Sequence, residues 1–294
     1  MKGRLILNDH RDIPMLIHLW KWKVASTASL YYKYFHNVKS EVAYNRLNRL
    51  RKHGFLQVRT DIHGKNPVWM LDKKGFIAII DFLPELKESG YRSENIRHDL
   101  WCSAIHLGEF LIEQPKNVQI ITEQQLRRYH IEDLPAWVPN PEAHRPDGYM
   151  RMTNGEHKTT IAIELEKSRK TTAQLEKLVD FYSEFKLNFL VLWILEGKGL
   201  QRRLSSTIEK AIDKNKVHNM VMLKDYFKQG WQSKVVYGPN ADTTIADLIY
   251  NKAGINHVQP LYQDTHKLML NDRLRYRNDR ETLVLNQHLK TATE

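Results

Sequence analysis

Apolar residues recur along this chain in two periods, every three to four residues in some stretches and every second residue in others, and each period predicts a different element. Ile13, Leu16, Ile17 and Trp20 predict a helix over residues 12–22, and a second short helix covers 26–35. A third runs over 41–53, with Ser40 expected as its N-cap and Gly54 as the residue that closes it. Two strands, 55–59 and 68–71, flank a polar turn containing His63, Gly64, Lys65 and Asn66, and Asp72 is placed to cap a helix over 73–82. Residues 84–95 are polar and helix-breaking, which marks a linker. After it come a long helix over 94–113 closed by Pro115, a strand at 118–122, a helical stretch at 124–129 and a loop with Pro135, Pro139 and Pro141. Strands at 148–152 and 159–166, a helix over 171–185, an apolar strand at 188–195, a helix over 200–213 and a strand at 219–223 follow. A short helix near Asp225 and a strand at 234–237 complete the regular pattern, which thins beyond Gly238. The order predicts an α/β (α+β) chain, its second part a mixed sheet with helices on both faces. Residues 241–294 read as a C-terminal extension or tail, with Arg273, Arg275, Arg277 and Arg280 interleaved with Asp272, Asp279 and Glu281.

Charge sharpens this division. The chain of 294 residues carries a formal charge of +11, and residues 1–80 hold fifteen Lys and Arg against five Asp and Glu, so nearly all the excess is in the first part. A block that basic is suited to a phosphate-bearing partner. Within it, a helical wheel of the third helix puts Ala43, Leu47 and Leu50 on one side and Glu41, Asn45, Asn48, Arg49 and Lys52 on the other. Asn pairs bidentately with adenine and Arg with guanine, whereas Lys52 suits a phosphate. Helix, turn, helix and a following hairpin resemble the winged-helix family, in which the third helix enters the major groove and the hairpin touches backbone or minor groove. The resemblance makes Asn45, Asn48, Arg49, Lys52 and Lys65 the candidate DNA-binding residues and residues 1–83 a winged-helix domain.

The second part holds a pattern of acids. Arg145-Pro146-Asp147 precedes one strand, and Ile163-Glu164-Leu165-Glu166-Lys167 ends the next. Alternation along a strand puts Glu164 and Glu166 on one face and Ile163, Leu165 and Lys167 on the other. An antiparallel hairpin would bring Asp147 beside them. Three converging carboxylates repel, and a divalent cation with oxygen ligands relieves that repulsion while also binding phosphate. An exposed acidic strand paired with Lys167, Arg169 and Lys170 is the plainer alternative.

Asp147 after Pro146, with Glu164-Leu165-Glu166-Lys167 on the next strand and a helix after it, resembles the PD-(D/E)xK nuclease superfamily. The N-terminal winged helix, the His98-Asp99-Leu100 helix, the Arg145-Pro146-Asp147-Gly148 turn and the Lys177-Leu178 to Tyr182 helix look like the replication-relaxation family. That family includes MobC-type plasmid mobilisation relaxases, which nick transfer origins on a restriction-endonuclease-like fold. The resemblance implies a nuclease-like domain over residues 96–240. It implies catalytic roles for Asp147, Glu164, Glu166 and Lys167, and Mg²⁺ or Mn²⁺ held by Asp147, Glu164, Glu166 and Glu109. It also implies double-stranded DNA as partner, at a plasmid transfer or replication origin. The sequence departs from the superfamily at the third position, where Glu166 stands instead of Lys, so the assisting cation is left open among Lys167, Lys170, Lys177 and a second metal. Tyr182 lies with Leu175, Leu178 and Phe185 and reads as core.

No Walker-type loop, G-x-S-x-G elbow, HExxH or His-x-His occurs. Cys102 is the only cysteine, which excludes an intrachain disulfide, and no apolar run reaches the roughly 18 residues of a membrane span. The start lacks a secretory core, so the expectation is a cytoplasmic, metal-dependent DNA endonuclease or nicking relaxase without a membrane partner. The alternative is a non-catalytic DNA-binding regulator or origin-binding protein on a degenerate nuclease-like scaffold. A protein partner for the tail and a homodimer are open.

Overall fold

Eleven α-helices and eight strands form among residues 5–60, 67–167, 170–185, 188–211, 217–256 and 265–270, the ones that the computed structural model describes. The first stretch runs α1 (Asp12–Trp22), β1 (Ala25–Ser26), α2 (Thr27–Tyr34), α3 (Ser40–Lys52), β2 (Leu56–Thr60), β3 (Pro67–Leu71), α4 (Lys73–Ile79) and α5 (Ile96–Leu107). The second runs β4 (Val118–Thr122), α6 (Glu123–Arg128), β5 (Gly148–Asn154), β6 (His157–Glu166), α7 (Thr172–Ser183), β7 (Phe189–Leu195), α8 (Lys198–Lys210), β8 (His218–Met222), α9 (Leu223–Gln229) and α10 (Ile245–Ala253). A last helix, α11 (Thr265–Leu270), follows. The architecture is therefore mixed α/β, with helices and two sheets. The chain forms two compact units: Met1–Glu113 with Arg128–His130 and Pro260–Glu294, and Gln114–Arg127 with Ile131–Gln259.

In the first unit, β1, β3 and β2 make an antiparallel sheet in that order. Ser26 leaves β1 and at once caps α2, its hydroxyl accepting from Ser29 N at 3.0 Å. Ser40 is the first helical residue of α3, not its cap; Lys39 occupies the cap position without a side-chain bond. At the other end Gly54, at φ 81°, lets Gly54 N reach Arg51 O and Phe55 N reach Leu50 O, the paired bonds that stop a helix and turn the chain into β2. Ala43, Leu47 and Leu50 bury one side of α3. Asp12 at the start of α1 is fully buried and grips Arg46 of α3. The hairpin turn containing Lys65 lies outside the described residues, as does 271–294 with its arginines.

Two larger features depart from the sequence reading. The helix expected over 94–113 ends at Leu107, and α5 belongs to the first unit rather than to the domain after the linker. It is anchored there by Lys23 Nζ to Asp99 Oδ1 at 3.3 Å and by Trp22 against His106, and residues Asp99–Leu107 are buried on every side. Residues 241–294, read as a tail, contain two packed helices. Thr244 and Asp247 make a reciprocal capping box for α10, whose Ile245, Leu248 and Ile249 are buried and which packs on β5 and β6. α11 packs on α2, β1 and α5, with Ser26 Oγ donating to Leu268 O at 2.6 Å.

In the second unit the sheet order is β4-β5-β6-β7-β8, antiparallel through β6 and parallel from there on. β6 is the central strand. The predicted strand 234–237 is reduced to isolated bridges, Lys234 with Thr244 and Tyr237 with Met220. Among the described residues no helix is long and apolar enough to cross a membrane.

Candidate active site

The hairpin of β5 and β6 has Gly148 opposite Ile163, which carries Asp147, one residue before the strand, to the end of β6 where Glu164 lies. Asp147 prolongs the ladder: its N–H donates to Ile163 O at 3.1 Å, and its Oδ2 accepts from Leu165 N at 2.6 Å. Register pairs Glu164 with Trp193 and Glu166 with Leu195, so both acids share the face that α7 covers through Tyr182. The expected antiparallel hairpin and the shared face of the two glutamates are therefore present.

Each acid has a distinct environment. Glu164 is buried, and its Oε1 takes two partners at 2.5 Å, Tyr182 Oη and His144 Nε2. Burial raises its pKa and the nearby Asp147 charge raises it further, against the opposing pull of His144 and Tyr182. The Asp147 contribution means that Asp147 and Glu164 repel each other. Glu166, also buried, pairs through Oε2 with Lys170 Nζ at 2.5 Å, one helical-type spacing further on. Lys167 follows the last residue of β6 and is half-buried, while Lys170 pairs with Glu166. Glu109 sits on a 3-10 turn, Gly108–Phe110, of the first unit.

Beneath α7 the polar cluster continues. Burial drives the Tyr182 hydroxyl well above the ordinary phenol range, with Glu164 adding to it, and does the same to Tyr149. Tyr149 Oη has no hydrogen-bond partner among the described residues. Trp193 Nε1 donates to His218 Nδ1 at 3.1 Å, and burial lowers the His218 pKa to about 4, so the imidazole is neutral and Nδ1 is the acceptor. A cleft of about 760 Å³ opens beside these groups, with His144, Lys170, Gln174, Lys177 and Phe181 in its wall. His144 thus stands between the cleft and the buried Glu164.

Sequence reasoning did not find His144, and it read Tyr182 as core. Tyr182 is fully buried, as that reading requires, yet its hydroxyl serves Glu164. The O–H of a buried tyrosine usually finds a partner, and this was the available signal. His144 lies in a proline-rich loop without periodicity, where only its position three residues before Asp147 points to it.

On the first unit, Asn45, Arg49 and Lys52 are exposed on α3 and Asn48 is half-exposed, its Nδ2 donating to Tyr44 O at 3.1 Å. Tyr44 and Val42 add apolar surface to the same helix, at 45% and 49% exposure. Set beside models of protein families, curated proteins and solved structures, the chain matches none.

Proposed function

We propose that this chain is a DNA-binding protein whose first unit is a winged helix and whose second unit is a nuclease-like domain, acting as a divalent-metal-dependent DNA endonuclease or nicking relaxase. The observation that carries the reading is that Asp147, Glu164 and Glu166 lie at one end of the central strand, with Asp147 close enough to Glu164 to raise its pKa. Two carboxylates that repel, with a third acid on the same strand face, offer the oxygen ligands that suit a hard cation such as Mg²⁺ or Mn²⁺. When bound, such an ion polarises a phosphodiester and lowers the pKa of a coordinated water.

The chain's own residues would then divide the work. Asp147, Glu164 and Glu166 would hold the ion. His144, fixed by Glu164, presents an imidazole at the cleft that can hold or pass a proton. Lys170 and Lys177 supply positive charge to the cleft where a phosphate would lie. Asn45, Asn48, Arg49 and Lys52 would read and grip duplex DNA at a transfer or replication origin. A second reading, a non-catalytic DNA-binding regulator, is favoured by one observation: Glu166 is paired with Lys170, and Glu164 with His144 and Tyr182, so the acids have partners within the protein.

The full chain incubated with supercoiled plasmid carrying its own locus separates the two. Mg²⁺ or Mn²⁺ should produce open-circle DNA, chelation should prevent it, and Asp147→Ala should abolish it while duplex binding persists. Intact plasmid with either metal, from protein that binds the DNA, favours the regulator.

A further inference from the structure

A second cleft, of about 520 Å³, lies elsewhere on the second unit. Its floor is a row of side chains in register, Arg151 of β5 opposite Thr160 of β6 and Thr160 opposite Phe189 of β7, and Gln119 of β4, opposite Arg151, continues the row. Paired residues share a sheet face, so the row is continuous. Two aromatic rings bound it. Trp137 is held by its own Nε1 donating to Gln119 Oε1 at 3.1 Å and by the Arg151 guanidinium 5.8 Å from its ring centre. Phe185 stacks on Phe189 with ring centres 4.5 Å apart and planes 21° from parallel.

Arg151 is positioned before any ligand arrives. Its Nη1 donates to Thr160 Oγ1 at 2.6 Å, which orients the guanidinium plane, and the fork carries four further N–H groups. Partial burial lowers its pKa, the mark of a cation that has lost water. Lys158 adds a second positive charge at the mouth, against Glu156. Flat aromatic faces beside a fixed guanidinium and a lysine match a base stacked on a ring with its phosphate on the cations. Thr160 and Glu164 point to the same face of β6, four residues or about 13 Å apart at the strand rise, so a strand engaged at the acids passes within reach.

We propose that this cleft binds a nucleotide of single-stranded DNA, its base against Trp137 and its phosphate on Arg151 and Lys158. The inference rests on the DNA-processing reading of the chain and gives that reading a place for an unpaired strand. The test uses the full chain and two fluorescent probes, an oligo(dT) of about twelve nucleotides, within the range that single-strand modules cover, and a duplex of mixed sequence. Trp137→Ala should weaken oligo(dT) binding roughly 5- to 150-fold, the loss of one stacked base, Arg151→Gln should weaken it by removing the phosphate contact, and both should leave duplex binding unchanged. Trp137→Phe, which keeps a ring, should restore most of it. Equal oligo(dT) affinity in the variants and the unaltered chain overturns the proposal. Duplex binding without oligo(dT) binding in the unaltered chain overturns it alone, whereas binding of neither overturns the DNA reading as well. If Trp137→Ala impairs both probes, Trp137→Phe decides: recovery of oligo(dT) binding upholds the proposal, and no recovery overturns it.

Discussion

Asp12→Ala tests how α3 is held. Arg46 Nη2 and Nε both donate to the Asp12 carboxylate, Asn8 N donates to its Oδ2 at 2.8 Å, and Arg11 Nε reaches Oδ1 at 3.3 Å. The Asp12 side chain is 0% exposed and that of Arg46 15%, and these exposures decide the magnitude. A solvent-exposed pair contributes at most about 1 kcal/mol. A buried pair broken from one side leaves an uncompensated charge and costs ~3–5 kcal/mol, a large part of the ~5–15 kcal/mol that stabilises a typical domain. Replacing both partners, as in Asp12→Ala with Arg46→Met, removes that charge, so the double variant should lose at least ~2 kcal/mol less than the two single losses combined. Urea unfolding of the full chain, followed by circular dichroism, measures each value. Under the proposed function, duplex binding should also weaken in Asp12→Ala, because α3 carries Asn45, Arg49 and Lys52. A loss below ~1 kcal/mol for Asp12→Ala, or strict additivity in the double variant, would refute the argument that the pair is buried and fixes the helix.

Tyr182→Phe keeps the ring contacts but removes the O–H from buried Glu164; at neutral pH, with chelator present, urea unfolding should show a loss of ~1–3 kcal/mol, and no loss would mean that the hydroxyl does not serve the carboxylate. Burial lowers the Lys33 pKa to about 8, so between there and its ordinary 10.5 the unfolded chain holds a proton that the folded chain has released. Its contribution to stability therefore grows as pH rises from 8 towards 10.5 and is absent below 8. Lys33→Met should flatten that rise in pH-dependent urea curves, and an identical slope in the variant would contradict the assignment.

What the sequence made legible follows from local physics. α3 was readable because one face of it is buried and the other is wet, so the period shows which residues face the core. The common face of Glu164 and Glu166 was readable from strand alternation, which holds although both faces of β6 are buried. α5 was legible as a helix but not as part of the first unit, because a helix buried on every side matches either of two cores. α10 carried a readable start and stop in Thr244, Asp247 and Gly254 that the thinning apolar pattern concealed. The bonds of Glu164 to His144 and Tyr182, and that of Trp137 to Gln119, join partners 18 or more residues apart, where spacing carries no information.

The seat of α11 bears on biosynthesis. Because residues 265–270 pack on α2 and α5, and Leu268 O takes the hydroxyl that also caps α2, the first unit is closed by a segment made after the whole of the second. A nascent chain therefore emerges with its basic helices complete and their last supporting helix still missing, and the second unit has the opportunity to fold first. The unit bearing α3 acquires its full set of contacts only after every residue of the second unit has been made.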